Sequence, residues 1–111
     1  MTLRAGDDGS LLVRVHPANY ATAVEIGRRL EHELKQPSAL FPAGTLYLRE
    51  QRIRRRAKGG GRSVSLTLRI DIYWNGTRVP ASVILENTER AQAFGTLIDE
   101  LTGNFTARES F

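Results

Sequence analysis

Cysteine is absent from the 111 residues, and His16 and His32 are the only histidines. Without thiols the chain can form no disulfide bonds, thiolate zinc sites or cysteine nucleophiles, and this composition fits an intracellular protein. The two histidines form neither an H-x-H nor an H-E-x-x-H pattern. The sequence therefore predicts no metal site and no cofactor.

Long apolar runs are also absent. No segment approaches the roughly 20 apolar residues that a membrane helix requires. The first ten residues carry Arg4, Asp7 and Asp8 and lack the apolar centre of a secretory signal. We therefore expect a soluble, cytoplasmic protein without membrane contact. With 41% hydrophobic residues, the chain is long enough for one domain with its own core.

Groups arranged for catalysis are missing as well. Asp99 and Glu100 are neighbours on a predicted helix, where adjacent side chains point in different directions and suit a solvated surface. Asp71 lies among basic residues and is better explained as the partner of a nearby arginine. The segment Gly59-Gly60-Gly61-Arg62 lacks the Gly-Lys-Ser/Thr ending of a phosphate-binding P-loop. We expect no enzymatic activity.

The first half of the chain predicts one strand and one helix. Residues 11–16 are a short apolar run typical of a strand, and Pro17 suits the first turn of a helix. Apolar residues at three- and four-residue spacing predict an amphipathic helix over residues 18–35. Residues 38–44 form a loop whose Leu40 and Phe41 tuck under the sheet. We place a flexible leader at 1–9, a single domain at 10–103 and a tail at 104–111.

The second half predicts two hairpins and a helix. A two-residue turn at Asn75-Gly76 places apolar side chains opposite one another on one face, with Ile72 facing Val79. The same register continues through three further pairs: Ile70 with Ala81, Leu68 with Val83, and Leu66 with Leu85. A turn at Gly59-Gly60 pairs strand 45–57 with strand 62–74. That register sets Tyr47 against Ile72 and Ile53 against Leu66 on the inner side.

A final helix completes the predicted fold. Asn87 is suited to cap its N-terminus, and Gly103 is expected to end it. The fold class is thus α+β: a short N-terminal strand, a helix, a three-stranded antiparallel meander with a long basic hairpin, and a C-terminal helix. Both helices are expected to cover one face of the sheet and to leave the other face open.

Positive charge is concentrated in the first of these hairpins. Between residues 47 and 70 there are eight basic residues and one acidic residue, whereas the rest of the chain has eight basic and eleven acidic residues. A basic element on a mildly acidic body is typical of a protein that binds nucleic acid. Alternation along the strands brings arginines to the outer face, opposite a row of serine and threonine hydroxyls. The candidate contact residues are Arg52, Arg54, Arg55, Arg56, Lys58, Arg62, Arg69 and Arg78, with Tyr73 as a candidate for base stacking.

The stretch from Val64 to Leu101 resembles the positive cofactor four family of transcriptional coactivators. The resemblance rests on an Ile-Asp-Ile strand at 70–72, a turn at Asn75-Gly76, an apolar segment at 79–86 and the final helix. It covers about a third of the chain, and Pro80-Ala81-Ser82 stands where the family has Lys-Gly. The resemblance implies a homodimer formed through the helix and single-stranded DNA on a curved sheet.

Nucleic acid is the partner that these observations favour. They do not distinguish DNA from RNA or single strands from duplexes. The alternative is an interaction or assembly subunit, such as a phage structural component, an adaptor or an inhibitor, whose basic face meets an acidic protein. A third interpretation is a solubilising surface that prevents sheets from pairing edge to edge. We expect a homo-oligomer, in the simplest case a homodimer.

Overall fold

The computed structural model describes residues 2–38, 40–58 and 61–109, without the side chains of 57, 58, 61, 62 and 104–109. The fold is α+β, as predicted, with an antiparallel sheet of five strands and three helices. In chain order the elements are β1 (Thr2–Ala5), β2 (Leu11–Val15), α1 (Tyr20–Leu34), β3 (Leu46–Lys58), β4 (Gly61–Trp74), β5 (Thr77–Val79), α2 (Ser82–Leu85) and α3 (Thr88–Glu109).

Strand β4 is the centre of the sheet, which has the order β1-β2-β4-β3. The Asn75-Gly76 turn is confirmed, with Ile72 opposite Val79, but β5 ends there. The predicted continuation through residues 81–85 is wrong. Pro80 has no N–H for a ladder, the Ala81 N–H donates to Gly9 C=O at 2.8 Å, and the chain turns into α2. Strand β2 fills the place beside β4 instead, pairing Leu11 with Ile70, Val13 with Leu68 and Val15 with Leu66.

The predicted flexible leader, residues 1–9, contains a strand. Residues 2–5 form β1, which pairs with β2 antiparallel. The connecting turn closes with hydrogen bonds from Gly6 N–H to Ser10 C=O at 2.7 Å and from Gly9 N–H to Gly6 C=O at 3.1 Å. Gly9 has φ +85°, a left-handed conformation that glycine adopts without strain. The residues Gly6-Asp7-Asp8-Gly9 thus form the turn between the two strands, and they are residue types that favour turns.

The long β3–β4 hairpin keeps the predicted register near its tip and loses it near its base. Ile53 faces Leu66 and Arg54 faces Ser65, as predicted. A β-bulge between Leu48 and Glu50 then shifts the pairing by one residue, so that Tyr47 lies opposite Asp71 rather than Ile72. One residue of shift moves a side chain to the other face. Tyr47 is consequently 59% exposed on the outer side, where the sequence had predicted an inner position.

The helices cover the inner face, where the core lies. Asn19 caps α1 through its side chain, which accepts from the Thr22 N–H at 2.8 Å, so the helix begins two residues after the predicted start. Phe41 packs edge-on against Phe94 of α3, with 6.3 Å between ring centroids. The core contains apolar side chains from β2, β4, α1 and α3, among them Leu11, Val13, Ile26, Leu30, Leu66, Leu68, Ile70, Phe94 and Ile98.

The last helix differs from its prediction at one end. Asn87 accepts from the Arg90 N–H at 3.0 Å, which confirms the predicted N-cap. At the other end, Gly103 does not end the helix, which runs to Glu109. Helical hydrogen bonds tolerate an interior glycine at a cost of about 1 kcal/mol relative to alanine. The backbone predicted as a tail is therefore helical over 104–109.

Gly27 sets how closely α1 approaches β3. A Cβ at this position would lie 2.0 Å from the Gln51 side-chain oxygen. We expect Gly27→Ala to gain the full helix propensity of about 1 kcal/mol when Gln51 is also shortened to alanine. In the wild-type background the gain is smaller, because the exposed Gln51 side chain must move away. A double-mutant cycle by urea denaturation measures the coupling, and additive effects at the two positions would contradict this close approach.

Candidate nucleic-acid interface

The outer face of the sheet holds a shallow groove with a volume of about 440 Å³. Six arginines and one glutamate line it, and the hydroxyl groups of Ser63, Ser65 and Thr67 belong to its floor. We call this feature the arginine groove. Its arginines come from four strands: Arg4 from β1, Arg14 from β2, Arg52, Arg54 and Arg56 from β3, and Arg69 from β4.

Strand register explains why these side chains meet. Thr67 of β4 lies opposite Arg14 on one side and Arg52 on the other, so both guanidinium groups flank a hydroxyl. Arg54 and Arg56 continue the row, each opposite a serine, at a spacing of about 6.6 Å along the strand. Since β2 ends at Val15, the hairpin beyond Leu66 is a two-stranded ribbon. It carries the arginine row beyond the four-stranded part of the sheet.

The base of the outer face is occupied by an acid–arginine cluster, which we define as Asp8, Glu50 and Asp71 with Arg49, Arg69 and Arg78. Asp8 binds the Arg49 guanidinium and accepts from Arg69 Nη1 at 3.0 Å. Arg78 donates to the Asp8 carbonyl at 2.8 Å. One residue of the β1–β2 turn thus holds arginines from three other strands. These cations are already partly neutralised.

Asp71 forms the buried part of the cluster. Its side chain is 6% exposed and lies 3.6 Å from Arg49 Nε and 3.3 Å from Arg78 Nη2. Glu50 is shared between Arg52 at 3.0 Å and Arg69 at 3.6 Å. The explanation of Asp71 as an arginine partner is therefore confirmed. In contrast, no carboxylate in the described part of the chain forms an ion pair with Arg4, Arg14, Arg54 or Arg56.

The pKa of Asp8 is held well below its usual range, first by the hydrogen bond from the Ser10 hydroxyl and then by the one from Arg49. A carboxyl whose pKa is lowered on folding stabilises the protein above the unfolded-state pKa of about 4. That contribution is lost as the pH falls through the folded-state pKa. We expect Asp8→Asn to be less stable than wild type at pH 7, with a difference that shrinks below about pH 4.

Urea midpoints measured between pH 7 and pH 2 test this expectation. Asp7→Asn is the matched control, because Asp7 is the neighbouring exposed aspartate in the same turn and forms no ion pair within the described residues. A difference between Asp8→Asn and wild type that does not change with pH would contradict the role assigned to the Asp8 carboxylate.

The structure divides the predicted contact residues among several surfaces. Arg52, Arg54, Arg56 and Arg69 line the arginine groove, and Arg78 belongs to the acid–arginine cluster. Arg55 lies opposite Val64, on the inner side, and stacks over the Tyr20 ring at 4.0 Å. Alternation turns residue 55 away from 54 and 56, so Arg55 does not join the arginine groove, and its contact with a ligand stays a prediction. The side chains of Lys58 and Arg62 lie outside the described residues.

Tyr73 and Tyr47 border a second depression at the opposite end of β3. Together with Lys35, Gly44 and Leu46 they line a cleft of about 400 Å³. Tyr73 is half-buried, whereas Tyr47 is 59% exposed. The predicted stacking candidate therefore has an aromatic neighbour that the sequence had assigned to the core.

Sequence reasoning missed three polar side chains of the groove: Arg4, Arg14 and His16. Alternation in Leu11–Val15 does place Arg14 on the face opposite Val13. What the sequence does not show is that β2 lies beside β4, because this pairing joins residues more than 50 positions apart. The role of Asp8 depends on the same long-range pairing.

Metal-binding clusters and membrane-spanning helices are absent from the part of the chain that the structure describes. It contains no group of three His, Asp or Glu residues placed to hold a metal ion. None of its helices combines the length and the apolar character needed to cross a membrane. Comparison with protein-family models, with curated protein sequences and with solved structures finds no match for this chain.

Proposed function

We propose that the protein binds nucleic acid through the arginine groove. The observation that supports this proposal is that some arginines of the outer face are neutralised and others are not. Carboxylates at the base pair with Arg49, Arg69 and Arg78, whereas Arg14, Arg54 and Arg56 toward the hairpin tip have no ion-pair partner among the described residues. Arg4 borders the acid–arginine cluster but likewise forms no ion pair within the described residues. Guanidinium groups beside hydroxyl groups suit phosphate oxygens, which accept hydrogen bonds from both.

The groove also has the form that a polymer needs. A row of cations along β3, with further cations on β1 and β2, offers contacts to successive phosphates rather than to one anion. Phosphate contacts give affinity without reading the bases, so the proposal includes no sequence specificity. The homodimer and the cytoplasmic location remain predictions from the sequence. Catalysis has no part in the proposed function.

The test is a salt titration of binding to fluorescent single-stranded DNA, duplex DNA and RNA. Arg14, Arg54 and Arg56 are replaced together by glutamine and compared with a charge-matched variant of the opposite face. Absence of salt-dependent binding of the wild type to all three polymers would overturn the proposal and would favour an acidic protein as the partner.

A further inference from the structure

Tyr47 is an exposed aromatic residue that the arginine groove does not account for. Among the described residues, Tyr20 and Tyr47 are the large hydrophobic side chains with high exposure, at 44% and 59%. The Tyr20 ring is covered on one side by the Arg55 guanidinium, 4.0 Å from its centroid. No cation of the described part covers the Tyr47 ring in this way. Its apolar face is therefore available to a ligand.

The β-bulge is what exposes this ring. Without the extra residue at Arg49, alternation would direct Tyr47 to the inner side together with Gln51 and Ile53. The bulge turns Tyr47 outward and leaves Arg49 to contact Asp8 and Asp71. Bulges are common beside binding sites, where they redirect a side chain. Here the redirected side chain shares its face with the arginine groove.

The cleft beside Tyr47 has the chemistry of a site for a planar, anionic ligand. Tyr47, Tyr73 and Lys35 are among the residues that line a cleft of about 400 Å³. The Lys35 side chain is 71% exposed, and its nearest carboxylate, on Glu31, is 4.0 Å away. A base that stacks on a tyrosine ring brings its own phosphate close to such a cation. Along β3 the cleft and the Arg52 end of the groove are about 15 Å apart, a span of a few nucleotides.

We infer that the Tyr47–Tyr73 cleft takes an unpaired base, and hence that the polymer bound along the arginine groove is a single-stranded nucleic acid. This inference rests on the proposed function. A paired base is stacked between its neighbours and cannot present its face to a tyrosine, whereas every unpaired base can. The strand follows the outer side of β3, with phosphates on the arginines and a base in the cleft.

Replacing Tyr47 with alanine tests the inference. We expect affinity for oligothymidine to fall about 5- to 150-fold, the range for loss of one base–aromatic stack. Affinity for a duplex of the same length stays unchanged. The dependence on salt also stays unchanged, because stacking releases no counterions. Tyr47→Trp preserves binding, since indole also stacks. An oligouridine arm shows whether the cleft accepts RNA.

Tyr20→Ala is the matched control, an exposed tyrosine on the opposite face whose loss leaves single-strand affinity unchanged. Urea midpoints verify that each variant is folded. We expect Tyr47→Ala to fold normally, because the Tyr47 side chain is largely exposed. Retained single-strand affinity in Tyr47→Ala, or equal losses on single strand and duplex, would overturn the inference while the salt-dependent binding persists. If the wild-type protein shows no salt-dependent binding to any of the polymers, the proposed function itself is overturned.

Discussion

Replacing Arg14, Arg54 and Arg56 with glutamine is expected to flatten the salt dependence of nucleic-acid binding. The logarithmic slope should become shallower by about 2 to 3, because each lost phosphate contact removes about 0.7 to 0.9 from it. Affinity near 0.1 M salt should fall at least about tenfold for the same reason. All three side chains are exposed and none forms an ion pair within the described residues, so the fold should persist.

The control variant removes the same charge from the other side of the molecule. Arg28 and Arg29 are exposed on α1, and Arg55 lies over Tyr20 on the inner side. Replacing these three with glutamine changes the net charge from +4 to +1 in both variants, since each loses three cations. If the location of the arginines determines binding, the control variant retains most of the salt dependence of the wild type. Equal effects in the two variants would show that overall charge, rather than the groove, attracts the polymer.

Phe94→Ala is expected to destabilise the fold more than a substitution at any partly exposed position of α3. Phe94 is fully buried, and its ring meets Phe41 edge-on at 6.3 Å between α3 and the loop before β3. Removing a buried phenylalanine side chain costs about 3 to 5 kcal/mol through lost burial and the cavity left behind. The free energy of unfolding of a domain is only about 5 to 15 kcal/mol, so much of it is lost.

Urea denaturation measures this loss. Leu97→Ala on the same helix is the matched control, because Leu97 is only partly buried and loses fewer contacts. We expect the cost at position 94 to exceed the cost at position 97 clearly. Similar midpoints for the two variants would contradict the burial of Phe94 between α3 and the loop before β3.

Local chemistry explains which parts of the fold were predictable. Asn75-Gly76 specifies a tight turn through backbone conformations that few residues adopt, and Asn75 has φ +50° as that turn requires. The side-chain oxygen of Asn87 caps α3 by accepting a hydrogen bond from the backbone N–H of Arg90, three residues later in the chain. Alternation along β3 placed Arg52, Arg54 and Arg56 on one face. Each of these features depends on residues close together in the chain.

The errors share a different cause. The apolar residues of 81–85 alternate in a way that suits pairing with β4. The residues of β2 alternate in the same way, and β2 is the strand that pairs with β4 along this edge. Pro80 and the hydrogen bond from Ala81 to Gly9 decide between the two. At the bulge, Arg49 contacts Asp8 of the β1–β2 turn and Asp71 of β4, both distant in the chain. Competition between distant segments cannot be read from local patterns, because it is decided by packing and long-range pairing.

By itself, the sequence determined that this chain forms an α+β domain with a strongly basic hairpin, because turns, caps and side-chain alternation are local properties. Only the tertiary structure decided which cations of the described part have no carboxylate partner. Asp8 reaches Arg49 and Arg69 across the sheet, whereas Arg4 and Arg14 join the arginine row on β3. The charge of a segment follows from its residues, but the availability of that charge depends on which carboxylates the fold brings within a few ångströms.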